Sequence, residues 1–225
     1  MVTIILQRPL LAGTIAALVL LGLGLAIATP GIKWGENAAS AEEPVFAVGP
    51  TVGHEPAPRP VPDFALTDQE GRRVRLREQT GKVVLVNFVT TECTTICVQV
   101  TRELRGLQQA LGDRMGRDVA FFSIGLDHAH DTQAALRRFA RRHAVDPSGW
   151  AFLSGTAGEL EAARQAFGAV AWKLSRGSGH NAYDLEHTTV TYLMDRRGAV
   201  RKKIPPGLLT LGGLHDIETI LASSP

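Results

Sequence analysis

Apolar residues along the chain form short β-branched runs and longer amphipathic stretches, which predicts an alternation of strands and helices. Two runs, Val83–Phe88 and Val119–Leu126, are apolar almost throughout, as is typical of buried strands. Between them, apolar residues recur at helical spacing and predict a helix over 98–111. These three elements therefore indicate a sheet with at least one helix packed against it.

The remaining patterns extend this alternation in both directions. Before the first buried run, Arg73, Arg75 and Arg77 alternate with apolar residues, as in a half-buried strand. After the second run, the sequence predicts a helix, a strand, a helix, a β-hairpin and a terminal helix, in the order Gln133–His143, Trp150–Leu153, Leu160–Phe167, His187–Ile204 and Leu214–Ala222. This order predicts an α/β domain with a central mixed sheet flanked by helices.

Local signals predict two helix starts and one long loop. Asp131 is well placed to cap the helix that begins at Gln133. Thr156 and Glu159 have the spacing of a capping box before the helix Leu160–Phe167. Residues 168–186 lack periodicity and predict a long exposed loop, and loops of this length often carry function.

Residues 1–30 contain an uncharged apolar segment, Leu10–Thr29, which is about the length that a helix needs to cross a bilayer. We expect these residues to form an N-terminal membrane anchor that precedes the folded domain. The alternative is a cleavable signal peptide, with small-residue cleavage sites ending near Ala28 or Ala41. Both alternatives place the domain outside the cytoplasm.

Residues 31–59 are rich in Ala, Glu, Gly and Pro and have no hydrophobic periodicity, so they are expected to form a flexible tether. The folded domain is then expected to begin near Pro60 and to continue to residue 225. This domain is long enough to bury a substantial core.

The charge and cysteine content exclude several classes of protein. The chain of 225 residues carries 24 Lys and Arg against 22 Asp and Glu, a net charge of +2, which gives no reason to expect a nucleic-acid partner. Its two cysteines are too few for a scaffold held by disulfides. They are therefore a redox pair, a metal-binding pair or two buried structural thiols.

The two cysteines, Cys93 and Cys97, lie between the first buried strand and the following helix. The unpaired amides and the dipole of a helix N-terminus favour thiolate over thiol at such a place. On a helical turn, residues four positions apart share one face, with Cβ atoms about 5–6 Å apart. Their sulfurs can bind one metal ion or, with modest adjustment, form a disulfide.

Several segments together resemble the Sco/SenC copper proteins of cytochrome c oxidase assembly, which have a thioredoxin-like fold. The resemblance covers about residues 60–213. The segments that carry it are Pro62–Gly71, the strand Gly81–Phe88, Cys93-x-x-x-Cys97, the stretch Ser123–Asp127 followed by Asp131-Thr132, and His187 before Thr188–Asp195. The resemblance implies that Cys93, Cys97 and His187 are metal ligands.

The resemblance also implies a function, a partner and a location. The chain is expected to bind a copper ion, Cu(I) or Cu(II), as a chaperone rather than an enzyme. Its partner would be the copper-bearing subunit of cytochrome c oxidase or another copper chaperone. The domain would lie in the periplasm, held at the inner membrane by a single-pass N-terminal helix.

The same residues leave other chemistry open. Two thiolates and one imidazole suit Cu(I), with zinc as a competitor. A thiol–disulfide oxidoreductase would instead cycle Cys93 and Cys97, for example to reduce the cysteines of a copper-acceptor protein, although the usual Cys-x-x-Cys spacing is absent. Thr90-Thr91-Glu92-Cys93 imitates the Thr-x-x-Cys of peroxiredoxins, but the proline of that motif would fall at Val86.

Two positions differ from the usual family pattern. Val98 and His128 stand where the family usually has proline, which leaves room for a divergent paralogue with an altered partner or role. His128 and His130 are candidate auxiliary copper ligands, and the alternative is that both are solvated loop residues. Asp127, directly before them, is a candidate for orienting a metal ligand.

Overall fold

The computed structural model describes residues 54–175 and 183–223, and within these ranges it contains ten strands and four α-helices. The helices are α1 (Ile96–Leu111), α2 (Gln133–Arg142), α3 (Ala157–Phe167) and α4 (Leu214–Ala222). The strands are β1 (His54–Pro60), β2 (Ala65–Asp68), β3 (Arg73–Arg75), β4 (Val83–Val89), β5 (Val119–Gly125), β6 (Trp150–Ser154), β7 (Ala171–Ser175), β8 (Tyr183–His187), β9 (Thr191–Met194) and β10 (Ala199–Ile204).

Eight of these strands form one mixed sheet in the order β1-β10-β9-β4-β5-β6-β2-β3. The central strands β4, β5 and β6 run parallel, and the outer strands pair antiparallel. Every residue of β4 and β5 is buried, and their register runs from Val83 opposite Val119 to Val89 opposite Gly125. The carboxyl ends of β4 and β5 therefore lie at the same edge of the sheet.

Alternate residues of the central strands enter two separate cores, one on each face of the sheet. On one face, Leu85 and Phe121 pack with apolar residues of α1, α2 and α4. On the other face, Val86 and Phe122 pack with apolar residues of α3. Both faces are covered, which explains why these strands are apolar at consecutive positions. The predicted mixed sheet with flanking helices is confirmed.

The later elements follow the sequence predictions closely. The capping box at Thr156 and Glu159 is present, although α3 begins at Ala157. The strands β9 and β10 form the predicted hairpin around Gly198, and α4 covers the predicted residues. Arg77 lies in a 3-10 turn, Leu76–Gln79, and not in the half-buried strand β3.

The predicted cap at Asp131 is wrong. Thr132 caps α2, because its Oγ1 accepts a hydrogen bond from the amide of Ala135. The fully buried carboxylate of Asp131 points the other way and joins two loops. It accepts the amide and hydroxyl of Thr91, at 2.7 and 2.9 Å, and the amides of Leu126 and Asp127, each at 2.9 Å.

The long loop predicted over 168–186 is also wrong in part. Within it, β7 and β8 pair antiparallel as a separate two-stranded ribbon, from Ala171 opposite His187 to Ser175 opposite Tyr183. The sequence contains no strand signal here, because that signal depends on apolar residues that alternate and face a core. On this ribbon an apolar residue, Trp172, is exposed instead. His187 ends β8 and does not continue into β9, which begins at Thr191.

The N-terminal boundary of the described domain differs from the expected one near Pro60. The strand β1 begins at His54 and forms the edge of the sheet, where it pairs with β10, with Arg59 opposite Val200. Edge pairing through the main chain needs no apolar pattern, so the sequence signal resembled a tether. The expected anchor and most of the tether lie outside the described residues. In residues 54–175 and 183–223, no helix has the length and apolar character to cross a bilayer.

Asp131→Ala should lower the free energy of unfolding by about 2–4 kcal/mol, because the amides of Thr91, Leu126 and Asp127 lose their buried acceptor. Urea unfolding of the wild type and the variant measures the difference. The exposed Asp113 supplies a matched control, and Asp113→Ala should change stability by less than about 0.5 kcal/mol. Equal effects of the two variants would show that the Asp131 carboxylate does not hold the loops together.

Candidate metal centre

The loop after β4 delivers both cysteines to the N-terminus of α1. Cys97 lies in the first turn of the helix, and Cys93 lies just before it. The amide of Cys97 donates a hydrogen bond to the sulfur of Cys93 at 3.3 Å, and the Oγ1 of Thr95 lies 3.9 Å from the same sulfur. The Cys93 sulfur therefore accepts one of the amides that a helix start leaves unpaired. This confirms the predicted position between strand and helix.

The two thiols are free and have different environments. Cys97, on α1, is buried in the core that α1 covers, whereas Cys93 is partly exposed. The hydrogen bond from the Cys97 thiol is the largest influence on Cys93 and, with backbone donors, lowers the pKa of Cys93 to about 4. Its role as that donor, together with burial, raises the pKa of Cys97 far above the ordinary range. At neutral pH the pair therefore carries one negative charge, on Cys93.

His187 reaches this pair from the end of β8. Its Nε2 lies 3.7 Å from the sulfur of Cys97, although 90 positions separate the two residues. Its Nδ1 lies 2.9 Å from the carbonyl oxygen of Thr188. A carbonyl oxygen only accepts, so Nδ1 carries the hydrogen, and in the neutral ring the lone pair of Nε2 is directed at the cysteines.

Thr188 is itself held by the chain next to β7. Its amide donates to the carbonyl oxygen of Val170 at 2.9 Å, and its Oγ1 accepts the amide of Val170 at 3.0 Å. These bonds position the carbonyl that orients the imidazole of His187. A backbone acceptor of this kind is a common partner of metal-binding histidines. The sequence offered no signal for Thr188, because its contact with His187 is made by its main-chain carbonyl.

Two sulfurs and one imidazole nitrogen form a donor set that suits a soft ion such as Cu(I). In the described part of the chain, however, no three Cys, His, Asp or Glu side chains already stand at metal-holding separations. The contact that exists is between Cys97 and His187, with the Cys93 sulfur at the amide of Cys97. The same two sulfurs are only four positions apart in the chain, so they can form a disulfide when no metal ion is bound.

The loop after β5 forms a second polar cluster, built on Asp127. The Nδ1 of His130 lies 2.9 Å from Oδ2 of Asp127, and the Nζ of Lys173 on β7 lies 3.7 Å from the same oxygen. The hydrogen bond to Asp127 raises the pKa of His130. His128 is exposed. Asp127 thus links the loop after β5 to the strand β7, and sequence reasoning missed Lys173 altogether.

Comparison with protein-family models matches residues 53–222 to the SCO1/SenC family. Among curated proteins, the SCO1 protein homolog of Bacillus subtilis is 33% identical over 95 residues, which are 42% of this chain and 49% of that protein. The chain spans about half the length of the curated relatives that it matches.

Solved structures show the same likeness. ScoI of Bradyrhizobium japonicum, determined with copper bound, has a TM-score of 0.64 and 26% identity, covering 72% of this chain and 99% of that one. BsSco, a member of the Sco family of cytochrome c oxidase assembly proteins in which a disulfide switch was identified, has a TM-score of 0.61 and 26% identity, covering 76% and 98%.

The family match includes every described strand and helix, the cysteine pair and His187. The structural matches cover the same domain with the thioredoxin-like Sco arrangement of a mixed sheet and flanking helices. The chain is therefore a member of the SCO1/SenC family.

Proposed function

We propose that this protein binds one copper ion through Cys93, Cys97 and His187. The observation that carries the proposal is the 3.7 Å approach of the His187 Nε2 to the Cys97 sulfur, with the ring held by the Thr188 carbonyl. A histidine oriented in this way toward a thiolate–thiol pair supplies the soft donor set that copper prefers among biological metals. Copper binding would displace the Cys97 proton, because the metal ligand is the thiolate.

The Bradyrhizobium relative, solved with copper bound, supports copper over zinc as the metal. Three protein ligands also suit a metal that is passed on, whereas a structural zinc site is usually closed by four. Thiolates favour Cu(I), and an imidazole is compatible with Cu(II), so both oxidation states fit the donor set. Copper is thus cargo for this protein.

The destination that we propose is the copper-bearing subunit of cytochrome c oxidase, with another copper chaperone as a second partner. BsSco, a family member that is 26% identical to this chain, belongs to the assembly proteins of that oxidase. The partly exposed Cys93 is the ligand that an acceptor can reach first, since Cys97 is buried. Stepwise replacement of ligands, beginning at Cys93, would transfer the ion without releasing it.

Cys93→Ser, Cys97→Ser and His187→Ala should each weaken Cu(I) binding by at least about 100-fold. Loss of a group that only hydrogen-bonds to a metal ligand already lowers metal affinity roughly 10- to 100-fold, and loss of a ligand should cost more. His187→Ala leaves both sulfurs in place, so its disulfide should still form. Competition with a Cu(I) chelator measures the affinity, and thiol titration after oxidation measures the disulfide.

His128→Ala is the matched control, because it removes an exposed imidazole from the neighbouring loop and should leave the copper affinity unchanged. The decisive contrary result would be a His187→Ala protein with normal copper affinity and a collapsed rate of disulfide exchange. In that case copper delivery is wrong and thiol–disulfide exchange replaces it.

A second candidate function is thiol–disulfide exchange with a partner, for example the reduction of an acceptor's cysteines. The specific observation that favours it is the low pKa of Cys93, because the thiolate is the attacking form. The buried Cys97 is then placed to resolve the mixed disulfide. The disulfide switch in BsSco supports such a role beside copper binding, since metal and disulfide compete for the same sulfurs.

The low pKa of Cys93 predicts alkylation that barely depends on pH. In the reduced, metal-free protein, the rate of reaction with iodoacetamide should change by less than about twofold between about pH 6 and pH 9, and should fall only as Cys93 protonates near about pH 4. An ordinary thiol would accelerate more than about 100-fold over that range. Mass spectrometry of the Cys93 peptide provides the rate.

Cys97→Ala tests the cause, because it removes the main hydrogen bond to the Cys93 sulfur and should restore a steep pH dependence. Thr95→Ala removes a weaker donor and should have a smaller effect. A flat profile that persists in Cys97→Ala would show that Cys97 does not stabilise the thiolate.

We also propose that Leu10–Thr29 anchors the protein in the inner membrane, with the domain in the periplasm. The support is the uncharged apolar length of this segment. Periplasmic placement at the membrane would keep the copper site near an oxidase that is itself a membrane complex.

Cell fractionation tests the anchor. The full-length protein should be recovered with the membranes, and deletion of residues 1–30 should abolish that association. The full-length gene could instead yield a protein that is wholly in the soluble fraction and has lost its N-terminus near Ala28. That result would establish a signal peptide.

A further inference from the structure

A groove of about 360 Å³ runs beside the loop that carries Cys93. Thr91 and Glu92, the residues just before the cysteine, line one side of the groove, and α2 lines the other. Because Cys93 follows Glu92 directly, its α-carbon lies about 3.8 Å from the α-carbon of a residue that lines the groove. A molecule that contacts the loop at Cys93 is therefore next to the groove.

The α2 side of the groove is cationic. Arg138 and Arg142 are one helical turn apart, both are exposed, and both line the groove. Within residues 54–175 and 183–223, neither forms an ion pair, whereas other arginines such as Arg72 and Arg201 are paired with carboxylates. Two guanidinium groups are thus presented to whatever enters the groove.

The two histidines near the groove lie close to charges of opposite sign. Burial, followed by the charges of Arg142 and Arg102, lowers the pKa of His143 at the end of α2. His130 also lines the groove, and its partner Asp127 raises its pKa. One carboxylate, Glu92, lines the groove as well, and it acts on His130. Among the described residues, no ion pair joins Glu92 to Arg138 or Arg142.

The floor of the groove is apolar. Ala135 and Phe139 line it from the same face of α2, with most of each side chain packed in the core. A groove with one cationic side fits an extended peptide segment that carries carboxylates, because a guanidinium binds a carboxylate through two parallel hydrogen bonds. A free inorganic anion could use the same arginines, but under the proposed function it is a protein partner that has to approach Cys93.

We propose that this groove docks an acidic segment of the protein that exchanges copper or a disulfide with Cys93. The inference rests on the proposed function in one respect, because a partner must approach that cysteine. The arginines would raise the rate of productive encounter and orient the partner, while the cysteines and His187 hold the metal. Acidic segments would thereby be selected over neutral or basic ones at the entrance to the site.

Thiol–disulfide exchange with two matched peptides tests the proposal without copper. Each peptide carries a cysteine bonded through a disulfide to nitrothiobenzoate, next to a run of glutamates in one peptide and of glutamines in the other. The Cys93 thiolate forms a bond to the peptide sulfur, and nitrothiobenzoate leaves with the electron pair of the broken disulfide. Its absorbance reports the rate for the reduced, metal-free, full-length protein, with the peptide cysteine placed at either end.

The groove predicts that the glutamate peptide reacts at least about tenfold faster than the glutamine peptide at low ionic strength, and that salt reduces this advantage. The sign is diagnostic, because the Cys93 thiolate alone repels the acidic peptide. The double variant Arg138→Glu, Arg142→Glu should abolish the advantage. The matched control is Arg105→Glu, Arg141→Glu, which changes the net charge equally at arginines outside the groove and should retain it.

Equal rates of the wild type with the two peptides would overturn the proposal, and so would equal losses in the two double variants, which would indicate net charge alone. Copper affinity is measured in parallel on the same three proteins and should be the same in all of them. Failure of the wild type to bind copper would contradict the proposed function, while the ratio of the peptide rates would still decide the role of the groove.

Discussion

Parallel pairing of β4 with β5 is the constraint on which the rest of the site depends. Both strands are buried along their whole length, so their register is fixed by two cores at once. Parallel strands end at one edge of the sheet, and there the chain leaves toward Cys93 on one side and toward Asp127 on the other. The buried carboxylate of Asp131 then joins the two departing loops through four hydrogen bonds. The paired strands and the Asp131 carboxylate together position the loop that carries the two cysteine sulfurs.

The chemistry of the site follows from unequal environments of two identical side chains. Cys93 lies at the helix entrance and accepts hydrogen bonds, so it holds the negative charge, whereas the buried Cys97 donates. A soft cation that replaces the Cys97 proton would neutralise a buried thiolate, which is costly in the absence of a counter-charge. Copper binding offsets that cost with a positive charge, and disulfide formation avoids it because no thiolate remains. Both are consistent with a family in which a copper-bound member and a disulfide switch have been described.

The ribbon of β7 and β8 contributes side chains that approach the two loops at the edge of the main sheet. It carries His187 to the cysteines, and its other strand contributes Lys173 to Asp127. The three proposed metal ligands therefore come from two separate sheets, because the cysteines follow β4 and His187 ends β8.

The sequence alone determined the elements whose signals are local: the buried runs of β4 and β5, the amphipathic α1, the capping box at Thr156 and the cysteine spacing. These depend on periodicity and on neighbours within a few residues. It misassigned Asp131 and the ribbon, because a buried carboxylate that joins two loops and a strand pair that faces solvent have no periodic signature. The proposed role of His187 as a metal ligand came from a family resemblance. Only the tertiary structure shows its approach to Cys97 across 90 positions, since chain topology, which no local pattern encodes, decides which distant residues meet.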